Sequence, residues 1–209
     1  MKIIETSVGP MYVRNNWDEA VIKEVIENHE YERWGEITIN PYDTVIDCGS
    51  HIGSFTRLAL SYGAKVLAIE PDEENFEVLL KNTEKSVNLK ILKAVLWNGQ
   101  NTNFVKFADR GELSKISPKG ELRQTISLNK VVKAFNLKQI DLLKMDIEGS
   151  EYEVLYHFKY FHKVKQITME WHYGASKFAK LLIFLEKYGF KTVWLGGNGD
   201  WGKLQMKHL

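Results

Sequence analysis

The chain has 209 residues, 44% of them apolar and 26% charged, a globular composition that excludes a disordered or coiled-coil protein and suits one core with at most a small extension. Lysine and arginine total 28 against 27 acids, so no global field draws the chain to nucleic acid or to an anionic membrane, and neither is an expected partner. No apolar run approaches the roughly 18 residues that span a bilayer, and the start MKIIETSVGPMY carries no signal-peptide core. Cys48 is the single cysteine, which leaves no internal disulfide or thiolate zinc cluster and fits a reducing, cytoplasmic setting.

In chain order, MKIIETSVGPMYVR predicts two short strands around a Val-Gly-Pro turn. WDEAVIKEVI, from Trp17 to Ile26, has apolar residues at helical spacing and acids where the helix dipole favours them. Residues 1–40 thus read as a hairpin and helix outside the main sheet, and 41–209 as the principal domain. From Asp43 the pattern becomes strand, helix, strand: DTVIDCG, SFTRLALSYG, KVLAIEP. ENFEVLLKNTEKS follows as a helix and NLKILKAVLW as a third strand. Asn101 to Lys130 reads as a polar loop flanked by β-prone pieces, either a lid or a plain connection. The alternation resumes with VVKAFN, IDLLKMD, SEYEVLYHF, KQITMEWH and SKFAKLLIFLEKYG, and an antiparallel hairpin around GGNGDW closes the sheet. Apolar strands alternating with helices predict an α/β fold, a parallel sheet covered on both faces.

DCGSHIG sits where the first strand of the main domain meets its helix. Its glycines allow a sharp turn and close backbone approach to a ligand, and the helix offers free N–H groups. A dinucleotide fingerprint would need glycine at the third and sixth places, and those are His51 and Ser54. An acid two residues ahead of the first glycine suits a cationic ligand instead, so Asp47 is expected at the ammonium and sulfonium end of S-adenosylmethionine. Glu70 ends the next strand, where a carboxylate can accept both ribose hydroxyls. The expected cofactor set is Asp47, Gly49, Ser50, His51 and Gly53 in the loop, Glu70, Pro71 and Asp72 after the second strand, and Asp146. Cys48 reads as a small buried filler.

KMDIEGSE places three carboxylates within six residues around a glycine. On an extended strand Lys144, Asp146 and Glu148 share a face that can meet a cleft beyond the strand's carboxyl end. Ser150 and Glu151 read as helix-capping residues. VIDCGSHIGSFT, AIEPD and above all IDLLKMDIEGSEYEVL resemble the FkbM-type S-adenosylmethionine-dependent methyltransferases, over roughly Tyr42 to His172, with the hallmark K-x-D-x-E-G-x-E complete. The resemblance implies a Rossmann-like, seven-stranded class I methyltransferase sheet with its last strand antiparallel. It also implies methyl transfer to a hydroxyl of a sugar, glycan or secondary metabolite.

Such a transfer needs donor and acceptor aligned and the hydroxyl relieved of its proton. The candidates are Lys144, Asp146, Glu148, Glu170 and His172, the last two sharing a strand face with Trp171 opposite. In one scheme His172, near its free pKa, takes the proton while Glu170 or Asp146 orients it. In the other, Asp146, Glu170 and His172 hold magnesium or manganese. Trp97 is a candidate for the adenine pocket, while His29, His157, His162 and His208 read as structural. The competing readings are an RNA or protein methyltransferase of the same fold, and a non-catalytic cofactor-binding module.

Overall fold

The computed structural model describes residues 1–84, 86–98, 104–108, 115–116 and 121–208. The N-terminal strands β1 (Lys2–Ile4) and β2 (Met11–Val13) pair antiparallel. Helix α1 (Asn16–Ile22) follows, its first turn capped by the Asn15 side chain. The helix ends short of the predicted Trp17–Ile26, because the chain continues as a π turn over Lys23–Glu27 and a 3-10 turn over Glu30–Gly35.

The main sheet is built from β3 (Thr44–Cys48), β4 (Lys65–Ile69), β5 (Leu89–Leu92), β10 (Ile140–Met145), β11 (Val164–Trp171), β12 (Phe190–Gly197) and β13 (Gly202–His208). Their spatial order is β12-β13-β11-β10-β3-β4-β5, with β13 antiparallel to both neighbours and the pairs from β11 to β5 parallel. β10 is buried at every position, which is why IDLLKM reads as a continuous apolar run rather than an alternating one. Alternate residues of the strands feed two cores. Ile46, Leu143 and Met145 pack with α4 (Leu128–Ala134), α5 (Glu151–Tyr156) and α6 (Ala175–Lys187) on one face. Val45, Val66 and Leu142 pack with α2 (Ser54–Ser61) and α3 (Glu73–Thr83) on the other. Met11, Val13, Ile22, Val25, Ile26 and Tyr31 belong to that second core, so the first forty residues are built onto this face.

Two expectations need correction. NLKILKAVLW is not one strand: β5 stays in the main sheet, and β6 (Val95–Leu96) pairs parallel with β9 (Glu121–Ile126). β9 in turn pairs with β7 (Phe104–Ala108), which pairs with β8 (Lys115–Ile116), so part of the Asn101–Lys130 loop is a small sheet. The rest of that loop, 101–103, 109–114 and 117–120, lies outside the described residues, and the lid reading falls there.

From β3 the chain winds outward through β4 and β5, then crosses back to β10 and winds the other way. The sheet therefore reverses its order between β3 and β10, where open α/β sheets place their ligand crevice. Cys48 lies beside Met145, so DCGSHIG and MDIEGSE leave adjacent strands side by side.

Candidate active site

Gly49 turns with φ +78°, and a Cβ there would lie 1.7 Å from the Asp146 carbonyl oxygen. Only glycine lets the two strand ends cross so closely. Beneath this crossing Lys144 donates to the Gly49 carbonyl at 2.7 Å and lies 3.2 Å from Asp47 Oδ1, while Thr56 donates to Asp47 Oδ2 at 2.6 Å. Burial pulls the Lys144 pKa down, but Asp47 and Asp146 outweigh it and hold the ammonium charged. This corrects one expectation. Asp47 is fully enclosed, its Oδ2 bonded by Thr56 and its Oδ1 ion-paired with Lys144, and it does not line the cavity, whereas Lys144, almost wholly buried, does reach the lining as expected.

A cavity of about 850 Å³ opens over the crossing. At one end it is lined by Gly49, Ser50, His51, Glu70, Pro71 and Asn75. Glu70 accepts from the backbone N–H of His51 at 2.7 Å and of Asp72 at 2.9 Å. Burial pushes its carboxyl up to about 8, although these N–H donors favour the charged form. Ser50 pegs the loop to β4, its hydroxyl donating to the Asp47 carbonyl and accepting from Ile69 N. Gly53, with φ +91°, opens α2. Asp72 is buried and caps α3 through Asn75 N, outside the cavity lining. His51 lines the cavity, its Nε2 3.4 Å from Arg14 Nη2 and 3.7 Å from Asp18 Oδ1. Burial lowers its pKa to about 4 against the pull of Asp18, so the ring is neutral. Trp97 is absent from the lining, whereas Ala94, Val95 and Leu96 are present. The pairing of β6 with β9 carries Trp97 past the pocket, its N–H bound to Ile126.

At the other end Asp146, Glu148, Glu170 and His172 converge. β11 presents Glu170 and His172 to the cavity as the alternation predicts, and Trp171 turns into the core to stack on Phe178. Glu148 is placed differently from the expected strand alternation: β10 ends at Met145, and the chain turns through Glu148 at φ +53° and Gly149 at φ +94°. His172 Nδ1 lies 3.2 Å from Glu151 Oε1, which also accepts from Ile147 N and Gly149 N. His172 Nε2 is 3.7 Å from Glu148 and 3.9 Å from Glu170. Burial works against the charged ring, yet Glu151, Asp146 and Glu148 together raise its pKa to about 9. His172 is therefore not near its free value, and the scheme that made it the proton acceptor is corrected: at neutral pH it already carries the proton. Glu170 is pushed up to about 8 by burial and by Asp146, with Lys203 and His172 opposing.

Asp146, Glu148 and His172 offer ligand atoms within 4.8 Å of one another and can hold a metal ion. The expected trio had Glu170 in place of Glu148. Sequence reasoning missed Tyr31, whose hydroxyl donates to Asp146 Oδ2 at 2.8 Å. It also missed the full role of Glu151, a fully buried carboxylate that fixes the His172 ring as well as the turn. Trp17, Tyr173 and Trp201, each about half exposed, stand at this end with Glu24 and Asp200. Lys203 bonds Glu24 and lies 3.4 Å from Glu30.

A seven-stranded sheet with this strand order, a glycine crossing at its switch point and a strand-terminal carboxylate beside it defines a class I S-adenosylmethionine-dependent methyltransferase. The methyltransferase FkbM domain matches residues 47–192, and the chain belongs to that family. No curated protein matches it. Solved structures share its fold at low identity. Precorrin-6y C5,15-methyltransferase from Geobacter metallireducens GS-15 is 11% identical with a TM-score of 0.53, over 99% of this chain and 93% of that one. A protein described as an RNA methyltransferase from Pyrococcus horikoshii is 14% identical with a TM-score of 0.52, over 90% and 83%. TrmK from M. capricolum, solved with S-adenosyl-homocysteine, is 11% identical with a TM-score of 0.54, over 87% and 67%. Among the described residues no helix is long and apolar enough to cross a membrane.

Proposed function

We propose that the chain transfers a methyl group from S-adenosylmethionine to a hydroxyl of a sugar, glycan or secondary metabolite, acting in the cytoplasm. The observation that carries this reading is the single cavity joining the glycine crossing to a cluster of carboxylates, with Asp146 between them. Gly49, Ser50, His51 and Pro71 cradle the cofactor, Gly53 lies behind them against α3 and starts α2, Glu70 takes the ribose hydroxyls, and Asp146 faces the methionine end. When bound, the cofactor would supply an electrophilic methyl carbon to the acceptor's oxygen and leave as S-adenosylhomocysteine, and the hydroxyl proton would pass to Glu170 in its ionised form. With its pKa raised to about 8, Glu170 is mostly protonated at neutral pH, so this route speeds up as pH rises toward that value. The imidazolium of His172 donates a hydrogen bond rather than taking the proton.

The acceptor end supports a neutral, hydroxylated substrate. Aromatic rims at Trp17, Tyr173 and Trp201 offer flat apolar faces, and Glu24, Glu170 and Asp200 offer hydrogen-bond acceptors. An RNA acceptor is less well supported, since phosphates need clustered lysine or arginine, and among the described residues Lys203 at this end is shared by Glu24 and Glu30 while Lys144 is paired with Asp47.

One observation favours a second reading of the proton step, a divalent cation on Asp146, Glu148 and His172. Glu151 engages His172 Nδ1 and so leaves Nε2 toward Glu148, the usual support for a metal-bound histidine. An oxygen-rich set suits magnesium or manganese, which supplies Lewis-acid polarisation of the hydroxyl. The test is calorimetric binding of S-adenosylmethionine and of Mg²⁺ or Mn²⁺, followed by turnover on a library of hydroxylated acceptors. Loss of turnover in Glu170→Gln with indifference to chelator supports the carboxylate base. Stoichiometric metal binding lost in Glu148→Gln, with turnover abolished by chelator, supports the cation. Failure of the wild type to bind S-adenosylmethionine would sink both.

A further inference from the structure

Arg14 lies outside the region matched by the family and does not line the cavity. Its side chain is nonetheless tied to both ends of the site. Nε donates to Asp18 Oδ2 at 3.0 Å, and Nη2 donates to Asp18 Oδ1 at 2.9 Å and to Asn75 Oδ1 at 2.8 Å. Asp18 is fully buried at the start of α1. A guanidinium only donates, so its hold on Oδ1 fixes which way the Asn75 amide faces and commits the NH₂ group to acceptors. The Asn75 side chain hydrogen-bonds Glu70, on the cofactor wall. Toward the acceptor, α1 contributes Trp17 and Val21 to the cavity, and Glu24 follows in the next turn.

We infer that Arg14 is a positioning residue for the cofactor: by orienting the Asn75 amide it aims Glu70 at the ribose hydroxyls, and through Asp18 it ties that carboxylate to the helix that walls the acceptor end. This rests on the cofactor reading above. It makes the N-terminal segment part of the donor site and gives the two substrates a shared support.

The test is calorimetric binding of S-adenosylhomocysteine to wild type, Arg14→Met, Glu70→Gln and the double variant. Arg14→Met weakens binding about tenfold, the effect of losing one well-placed hydrogen bond. In the Glu70→Gln background the same change adds less than about twofold, because the group it positions is gone. Should Arg14→Met not fold, Asn75→Ala keeps the Arg14–Asp18 pair and gives the same non-additive loss. Unchanged affinity, or losses that multiply in the double variant, would overturn the inference while leaving the cofactor site standing. A wild type that binds no S-adenosylhomocysteine would overturn that site and this inference together.

Discussion

Replacing Gly49 with alanine puts a methyl carbon 1.7 Å from the Asp146 carbonyl oxygen, in a backbone held at φ +78°. Carbon and oxygen settle at about 3.3 Å or more, so one strand end must move by about 1.6 Å. The crossing cannot give cheaply. Gly49 N donates to the Ile69 carbonyl at 2.9 Å, Gly49 O accepts from Lys144 at 2.7 Å, and Asp146 N donates to the Cys48 carbonyl at 2.9 Å. The left-handed backbone alone costs alanine about 1–2 kcal/mol, and displacing this ladder brings the total to about 3–5 kcal/mol, the upper range for single substitutions. At about 2–4 °C per kcal/mol for a chain of this size, the melting temperature falls by roughly 10 °C. Asp146 moves with the strand, and a displacement of about 1 Å costs on the order of a hundredfold in rate. Gly9→Ala is the control: φ is +94°, but the nearest atom is the end of the flexible Arg57 side chain at 3.0 Å. It loses only the conformational part. A Gly49→Ala protein that melts with Gly9→Ala and turns over like wild type would refute the reasoning.

The buried Lys144–Asp47 pair predicts that Lys144→Met and Asp47→Asn each cost about 3–5 kcal/mol in denaturant unfolding, and that the double variant costs much less than their sum; additive losses would contradict the pairing. Glu70 holds its proton up to about pH 8 when folded against 4.5 in the free group. Between those values the native state binds the extra proton, so this group makes stability fall as pH rises, and the fall is complete above the folded value. Glu70→Gln removes that slope, and its melting temperature gains on wild type from pH 5 to about pH 8; parallel curves would deny the shift. Trp17→Ala and Trp201→Ala raise KM for the acceptor with little change in kcat, as expected of binding shared by ground and transition states, and a fall in kcat alone would count against the aromatic rim.

What was legible in the chain was local. DCGSHIG and KMDIEGSE each lie within a few residues, and their strands carry strong apolar runs, so both segments could be set at the carboxyl ends of strands from the sequence alone. The sheet of β6, β7, β8 and β9 was not, because its pairings join Val95 to Thr125 across a polar stretch. Site chemistry failed for the same reason. Tyr31 meets Asp146 from 115 positions away and Glu151 meets His172 from 21. The protonation of His172 depends on three carboxylates gathered only by the fold. Asp47 reads as a ligand residue because its charge is visible in the sequence, while its pairing with Lys144 beneath the glycine crossing is made only by the fold.

The insertion of β13 between β11 and β12 has a consequence for timing. A ribosome delivers residues at about 5–20 per second, and β11 and β12 emerge before the strand that separates them. Until residues 202–208 are out, β11 presents an open edge to solvent, and Lys203 is not there to meet Glu24 and Glu30. The nascent chain can lay down the glycine crossing early, yet the cavity wall that holds Lys203 waits for residues 202–208. The end of the cavity at the glycine crossing and the end that holds Lys203 are thereby completed at different times in synthesis.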